Sequence, residues 1–236
     1  VSDAANPAQE IVERAIEHHG GELYERNRTR LTISSASGSF RVISKVHGDR
    51  FDHEVIHDTR EGASRRVRVT NDTVEQWLDG EPVAVPAEEE QRLRDFVNAR
   101  VYFPFLPYRL NDPSVIKKDL GTEVWDGETL RKVLVTFESG SSTDAGDEYL
   151  YWFDPETGRV AQFAYSFEAG NGGLRLRKAF NHRRFNGLMF FDSENWGVSG
   201  QGRSVLEVTP ELAGKMERIS TVAISDVDVQ VLERVK

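Results

Sequence analysis

The chain is 236 residues long and carries 30 Lys+Arg against 39 Asp+Glu, a formal net charge of −9. It contains no Cys, which excludes a disulfide scaffold, a thiolate zinc site and a cysteine nucleophile. A mean hydropathy of −0.52, without a run of ~20 apolar residues, excludes a helical membrane span. The acidic balance argues against a nucleic-acid partner.

The first element predicted is a helix. Asn6 can cap it and Pro7 suits its first turn. Ile11, Val12, Ala15 and Ile16 share one face, and Gly20-Gly21 stops it. The hydrophobic period then changes to two. Leu31 and Ile33, Phe40 and Val42, and Val67 and Val69 alternate with polar residues, as antiparallel strands with one wet face do. Turn signals separate them at Ser37-Gly38, Gly48-Asp49, Glu61-Gly62, Asn71-Asp72 and Asp79-Gly80.

Residues 86–100 predict a second helix. Pro86 starts it, Glu88, Glu89 and Glu90 sit at the positive end of its dipole, and Leu93, Phe96 and Val97 form an apolar stripe. The next ten residues, Val101 to Leu110, mix large apolar and aromatic side chains with Pro104 and Pro107, which bar regular structure. Two readings stay open for this stiff segment: a loop plugging a core, or the lid of an apolar pocket.

The strand pattern resumes after Asp112-Pro113. Asp126-Gly127 predicts a tight hairpin, and Leu130 to Phe137 a strand. Ser139 to Asp147 reads as a polar loop. Tyr149, Tyr151 and Phe153 alternate before an Asp154–Gly158 turn into Val160–Phe167, and a glycine-rich turn at 169–173 leads to Leu174, Leu176 and Phe180. Phe185–Phe191, Val205–Val208 and Val222–Leu232 read as further strands, with a long loop at 192–204. The chain shows neither an internal repeat nor a linker. The expectation is therefore a mainly β (α+β) fold. It is a strongly curved antiparallel half-barrel of about 11 strands, with the N-terminal helix and the helix near 86–100 over its concave face. Residues 1–6 form a short tether and 7–236 a single domain.

Several residues carry a resemblance. They are the helix ending in Gly20-Gly21, the strand Glu75-Gln76-Trp77-Leu78-Asp79-Gly80, the acidic helix, the Tyr102-Phe103-Pro104-Phe105-Leu106-Pro107 segment, and the hairpin Tyr151-Trp152-Phe153-Asp154-Pro155-Glu156-Thr157-Gly158-Arg159. The chain resembles an uncharacterised family of bacterial envelope proteins. At fold level it is similar to the lipoprotein carriers LolA and LolB over about residues 7–232. That resemblance implies an incomplete barrel whose helices cover an apolar cavity for lipid acyl chains. It also implies a periplasmic or outer-membrane-attached protein made with a leader. A lipoprotein of this kind would carry its lipid on an N-terminal Cys, which a trimmed start would remove together with the leader. The chain departs from the carriers in its more polar meander, its 170–173 turn and its 192–204 loop.

Other patterns in the chain could carry chemistry. His53-Glu54-Val55-Ile56-His57 matches H-E-x-x-H, with Glu75 as a third ligand, and a zinc hydrolase would need a helix there. Its context is strand-like, and on a strand the two His Cα atoms stand about 13 Å apart. His18 and His19 read as a solvated helix end. Arg65, Arg66, Arg68, Arg175, Arg177, Lys178, Arg183 and Arg184 could meet phosphate headgroups or acidic lipid, but the favoured reading is the wet faces of strands, balanced by the many carboxylates. The 170–173 turn lacks the Lys-Ser/Thr and helix of a phosphate loop, and no catalytic triad or cofactor motif is found.

The function expected is thus non-catalytic binding of a lipid or other hydrophobic ligand in the cell envelope. The cavity or lid would be built from Trp77, Phe96, Phe103, Phe105, Leu106, Tyr108, Tyr149, Tyr151, Phe163, Tyr165, Phe180 and Phe190. Tight packing would make the same aromatics a plain core. The alternatives are an envelope interaction module that docks another envelope protein and, less favoured, the zinc hydrolase.

Overall fold

A computed structural model describes residues 6–59, 61–138, 148–168 and 170–234. The expected 1–6 tether (apart from Asn6) and the 139–147 polar loop lie outside the described residues, as does Ala169 of the glycine-rich turn. Among the described residues there are three α-helices: α1 (Pro7–His19), α2 (Ala87–Tyr102) and the short α3 (Pro210–Ala213). The described residues also form thirteen strands in chain order. They are β1 (Arg26–Ser35), β2 (Gly38–His47), β3 (Arg50–Asp58), β4 (Ser64–Thr70), β5 (Val74–Leu78) and β6 (Glu81–Val83), then β7 (Val115–Trp125), β8 (Glu128–Phe137), β9 (Tyr149–Phe153), β10 (Val160–Phe167), β11 (Gly173–Phe185), β12 (Leu188–Ser199) and β13 (Glu217–Val231). Hydrogen bonding orders them β6-β5-β4-β3-β2-β1-β13-β12-β11-β10-β9-β8-β7, an antiparallel meander in which β13 returns beside β1.

The mainly β architecture with two long helices is as the periodicity predicts, with thirteen strands rather than about eleven. Three local expectations are corrected. Val205–Glu207 is a 3-10 turn capped by Ser204, not a strand. The expected Phe185–Phe191 strand is a hairpin, because Asn186 (φ 43) and Gly187 (φ 96) adopt the paired left-handed conformations of a type I′ turn. The expected 192–204 loop is strand as far as Ser199. Asp79-Gly80 and Asp126-Gly127 make turns of the same kind.

Two compact units divide the chain. One comprises residues up to His19, Pro107–His182 and Asp192–Thr221. The other comprises Gly20–Leu106, Arg183–Phe191 and the residues from Val222 on.

In the first unit α1 packs against β7 and the 3-10 turn Tyr108–Asn111. Asn6 Oδ1 accepts from the Ala8 N–H and opens the helix. Its buried stripe is Ala8, Val12, Ala15 and His19, whereas Ile11 and Ile16 stay half-buried. Trp125, Leu150, Trp152, Leu174 and Leu176 pack with Val205, Val208 and Met216 on one face of the sheet. Because Tyr151 and Phe153 are also buried, β9 is covered on both faces.

In the second unit α2 lies across β2, β3, β4 and β5. It buries Leu93, Val97 and Val101, which recur every fourth residue. They face the alternating buried set of the sheet: Leu31, Ile33, Phe40, Val42, Val55, Val67 and Val69.

Candidate functional site

The aromatic residues of the first unit form a ladder. Across β9 and β10, Tyr151 faces Phe163 and Tyr149 faces Tyr165. Ring centroids are 5.7 Å apart in both pairs, and Phe137 of β8 lies 6.0 Å from Tyr149. The ladder has two ends. Tyr151, Phe153 and Phe163 are buried core, whereas Phe137, Tyr149 and Tyr165 are only half-buried. On β11 the same face continues as Arg177 opposite Phe163 and Arg175 opposite Tyr165.

The opposite face of this unit carries a polar clamp. Glu123 Oε2 accepts from both indoles, Trp125 Nε1 and Trp152 Nε1, at 2.7 Å each, and Glu123 Oε1 accepts from Lys132 Nζ at 3.1 Å. The two indoles meet edge to face at 5.2 Å, and Lys132 Nζ lies 5.3 Å from the Trp152 ring.

Helix α1 is tied to the β9–β10 hairpin. His19, expected as a solvated helix end, is fully buried, and its Nε2 accepts from the Val160 N–H at 3.1 Å. His182 Nε2 donates to the Val160 carbonyl at 3.0 Å. Burial holds the His182 imidazole below the ordinary histidine range. Gly158 (φ 80) lets the hairpin turn touch the α1 backbone: a Cβ there would stand 2.9 Å from the Arg14 carbonyl and the Ala15 nitrogen. Beside this seam is a cleft of about 210 Å³, lined by Pro7, Ile11, Arg14, Arg131, Asp154 and Pro155. It is below the roughly 300–1,000 Å³ of drug-sized sites.

In the second unit, Phe40 of β2, His57 of β3 and Arg65 of β4 form a row on the face that α2 covers, Arg65 lying opposite His57 in register. Phe96 and Arg100 of α2 cap it. The His57 ring lies 5.3 Å from Phe40 and 5.4 Å from Phe96. The Arg100 guanidinium sits 4.0 Å from the Phe96 ring and 4.7 Å from Phe40. Burial lowers its pKa below the ordinary arginine value.

The remaining candidates fall in different places. Phe105 is buried against Tyr24 and Phe190, and Leu106 is fully buried. Phe103 meets Tyr102 edge to face, and Tyr108 opens the 3-10 turn. Trp77 does not join them. It pairs with Arg66, on the face away from Val67, with the guanidinium 4.2 Å from its ring. Phe180, 41% exposed, lies four residues beyond Leu176 along β11, away from the ladder.

The H-E-x-x-H segment is β3, so the helix a zinc hydrolase requires is not formed. Its side chains have other partners. His53 bonds Ser44 Oγ at 3.1 Å and stacks on Phe51. Glu54 holds Arg66, and Glu75 holds Arg68, which also grips Asp52 with two nitrogens. No cluster of three His, Asp or Glu suited to a metal occurs among the described residues. The pattern missed one feature: Thr29, Ser44 and His53 line up across β1, β2 and β3 as a buried polar row. No sequence signal marks it, because Thr and Ser are ordinary at strand positions.

A LolA superfamily protein from Nitrosomonas europaea shares the fold. It has 14% identity and a TM-score of 0.56, over 97% of this chain and 94% of that one. A domain assigned to outer-membrane lipoprotein sorting from Vibrio parahaemolyticus (13% identity) and a DUF1329 family protein from Desulfovibrio piger (11% identity) each give a TM-score of 0.49. Each comparison covers 94% of this chain and 92% of the other. No curated protein matches the sequence. No described helix is long and apolar enough to cross a membrane. A family model matches residues 1–201, and the chain therefore belongs to DUF6503, a family of unknown function.

Proposed function

We propose that this protein is a non-catalytic component of the bacterial envelope, periplasmic or attached to the outer membrane. It binds an apolar or amphipathic ligand, a lipid or a lipoprotein acyl chain, through the aromatic face of its sheet. The chain is read as one domain over 7–236. The observation that carries the proposal is the half-buried end of the ladder. Phe137, Tyr149 and Tyr165 stand side by side on three adjacent strands with ring contacts of 5.7–6.0 Å. Rings so arranged offer contiguous apolar surface with polar tips, which suits a chain that is apolar along its length. The LolA-superfamily fold agrees with this reading, although a fold alone never fixes a function.

The test is to purify the protein from a bacterial envelope fraction and analyse an organic extract by mass spectrometry. Binding of a fluorescent fatty-acid analogue is then measured for the wild type and for Tyr149→Ser/Tyr165→Ser. Co-purified lipid, with weaker binding by the double variant, supports the reading. An extract free of lipid and no binding of the analogue sink it. A stable protein complex in a pull-down would then favour an interaction module.

A further inference from the structure

Among the described residues, the cluster under α2 contains three nitrogen-bearing side chains, Arg100, Arg65 and His57, and no carboxylate. Arg100 donates through Nη1 to the Phe96 carbonyl at 3.1 Å, and nothing else among the described residues engages its five N–H groups. The acids around it are otherwise occupied or remote: Glu89 pairs with Arg92, Glu90 with Arg94, and Asp95 bonds Gln91. Arg65 gives Nε and Nη2 to the neutral Gln76 Oε1. His57 uses Nδ1 on the Asp58 carbonyl, which leaves Nε2 buried and without a hydrogen-bond partner among the described residues. A half-buried guanidinium whose companions among the described residues are two aromatic rings and one carbonyl is under-compensated, because a buried cation normally has a counter-ion.

We propose that Arg100, with Arg65 and His57, is a subsite for the oxyanion of an amphiphile's headgroup, a carboxylate or a phosphate, whose first methylenes lie against Phe96 and Phe40. A guanidinium fork recognises both anions through paired N–H bonds. His57 brings its buried Nε2 to the same cluster, while the rings exclude water and strengthen the charge pairing. The subsite is built from residues of the second unit alone and goes beyond the amphiphile-binding reading of the ladder.

The experiment is calorimetric titration of the full chain with dodecanoate, dodecyl phosphate and the neutral monododecanoyl glycerol, all below their aggregation thresholds. It is run on the wild type, Arg100→Met and Arg65→Gln. Met keeps the contact with the two rings and removes the charge. The expected result is a preference of about tenfold or more for the anionic probes, lost in Arg100→Met and reduced in Arg65→Gln, with the neutral probe unchanged. The two anionic arms separate carboxylate from phosphate recognition. Equal binding of neutral and anionic probes by the wild type, or a preference that survives both substitutions, overturns the subsite and leaves chain binding standing. Binding of none of the three overturns both readings. Should Arg100→Met fail to fold by circular dichroism, the wild-type comparison and Arg65→Gln decide.

Discussion

Replacing Glu123 by Ala removes one carboxylate and strands three donors. Trp152 is fully buried and Trp125 is 3% exposed, so both indole N–H groups lose their acceptor where water has little access. A buried donor left unpaired costs about 1–3 kcal/mol. The Glu123 side chain is itself 22% exposed, so water entering its place would satisfy part of the loss. Lys132 can swing its ammonium outward on a flexible stem, which makes its contribution small. The expected destabilisation is therefore about 2–4 kcal/mol, close to the sum for two indoles. At roughly 2–4 °C per kcal/mol for a chain of this size, the melting temperature should fall by about 4–16 °C. Glu123→Gln keeps a carbonyl oxygen in the same place and should cost less than half as much. Urea unfolding followed by tryptophan fluorescence measures both variants, with the indole emission of Glu123→Ala shifted to the red. The reasoning is refuted if Glu123→Ala stays within about 0.5 kcal/mol of the wild type, or if Gln is as damaging as Ala.

Three further outcomes are expected. Gly158→Ala should destabilise by about 2–5 kcal/mol, because its φ of 80° disfavours a side chain and the new Cβ meets the α1 backbone, which cannot step aside. Hydrogen exchange should show the α1 amides opening first, and protection equal to the wild type would contradict this. Gly173→Ala should be worse than ordinary surface substitutions, since its Cβ would collide with the Val198 carbonyl; an unchanged urea midpoint would be incompatible with that geometry. The third outcome concerns pH. Burial depresses the His182 pKa, so below about pH 6.5 the unfolded chain takes up a proton that the folded chain refuses. Stability from this group is full well above the unfolded value of 6.5 and declines as pH falls through it toward the folded pKa, by at most ~1.4 kcal/mol per pH unit. Asp52, held low mainly by its bond to Arg68, and Asp154, held low mainly by the Thr157 N–H, lose their contributions only as pH falls through the acid range. Urea midpoints between pH 7.5 and 5.5 should therefore slope in the wild type and flatten in His182→Asn; parallel slopes would count against the assignment.

Much of the architecture follows from local chemistry. Alternation at Leu31/Ile33, Phe40/Val42 and Val67/Val69 sets strands, and Asp79-Gly80 and Asp126-Gly127 set turns, because each requires only the preferences of neighbouring residues. The acids at the start of α2 and its Leu93/Val97 stripe are of the same kind. The strand character of His53–His57 was also legible, from the glycines that bracket it and its period of two. Misreadings came where two local signals compete. Asn186-Gly187 is as strong a turn dipeptide as Asp126-Gly127, yet the apolar residues around it read as one continuous strand. Val205–Val208 has an apolar strand composition, but Ser204 and Glu207 cap a 3-10 turn there.

The sequence by itself determined the mainly β class, both long helices, most of the strands and the aromatic richness of β9 and β10, since all of these depend on periods and dipeptides within a few residues. Only the tertiary structure decided which of the twelve aromatic and apolar candidates stand side by side. Tyr149 and Tyr165 meet because β9 and β10 pair in that register, Trp77 pairs with Arg66 on the face away from Val67, and Phe105 and Leu106 are spent in the core. It also decided that His19 is a buried acceptor for Val160, 141 residues away, and that Arg100 has aromatic rings where a carboxylate would be expected. The physical reason is the same throughout. Register and packing between distant strands assign each side chain its partners, and a one-residue shift in pairing would turn every one of them to the opposite face.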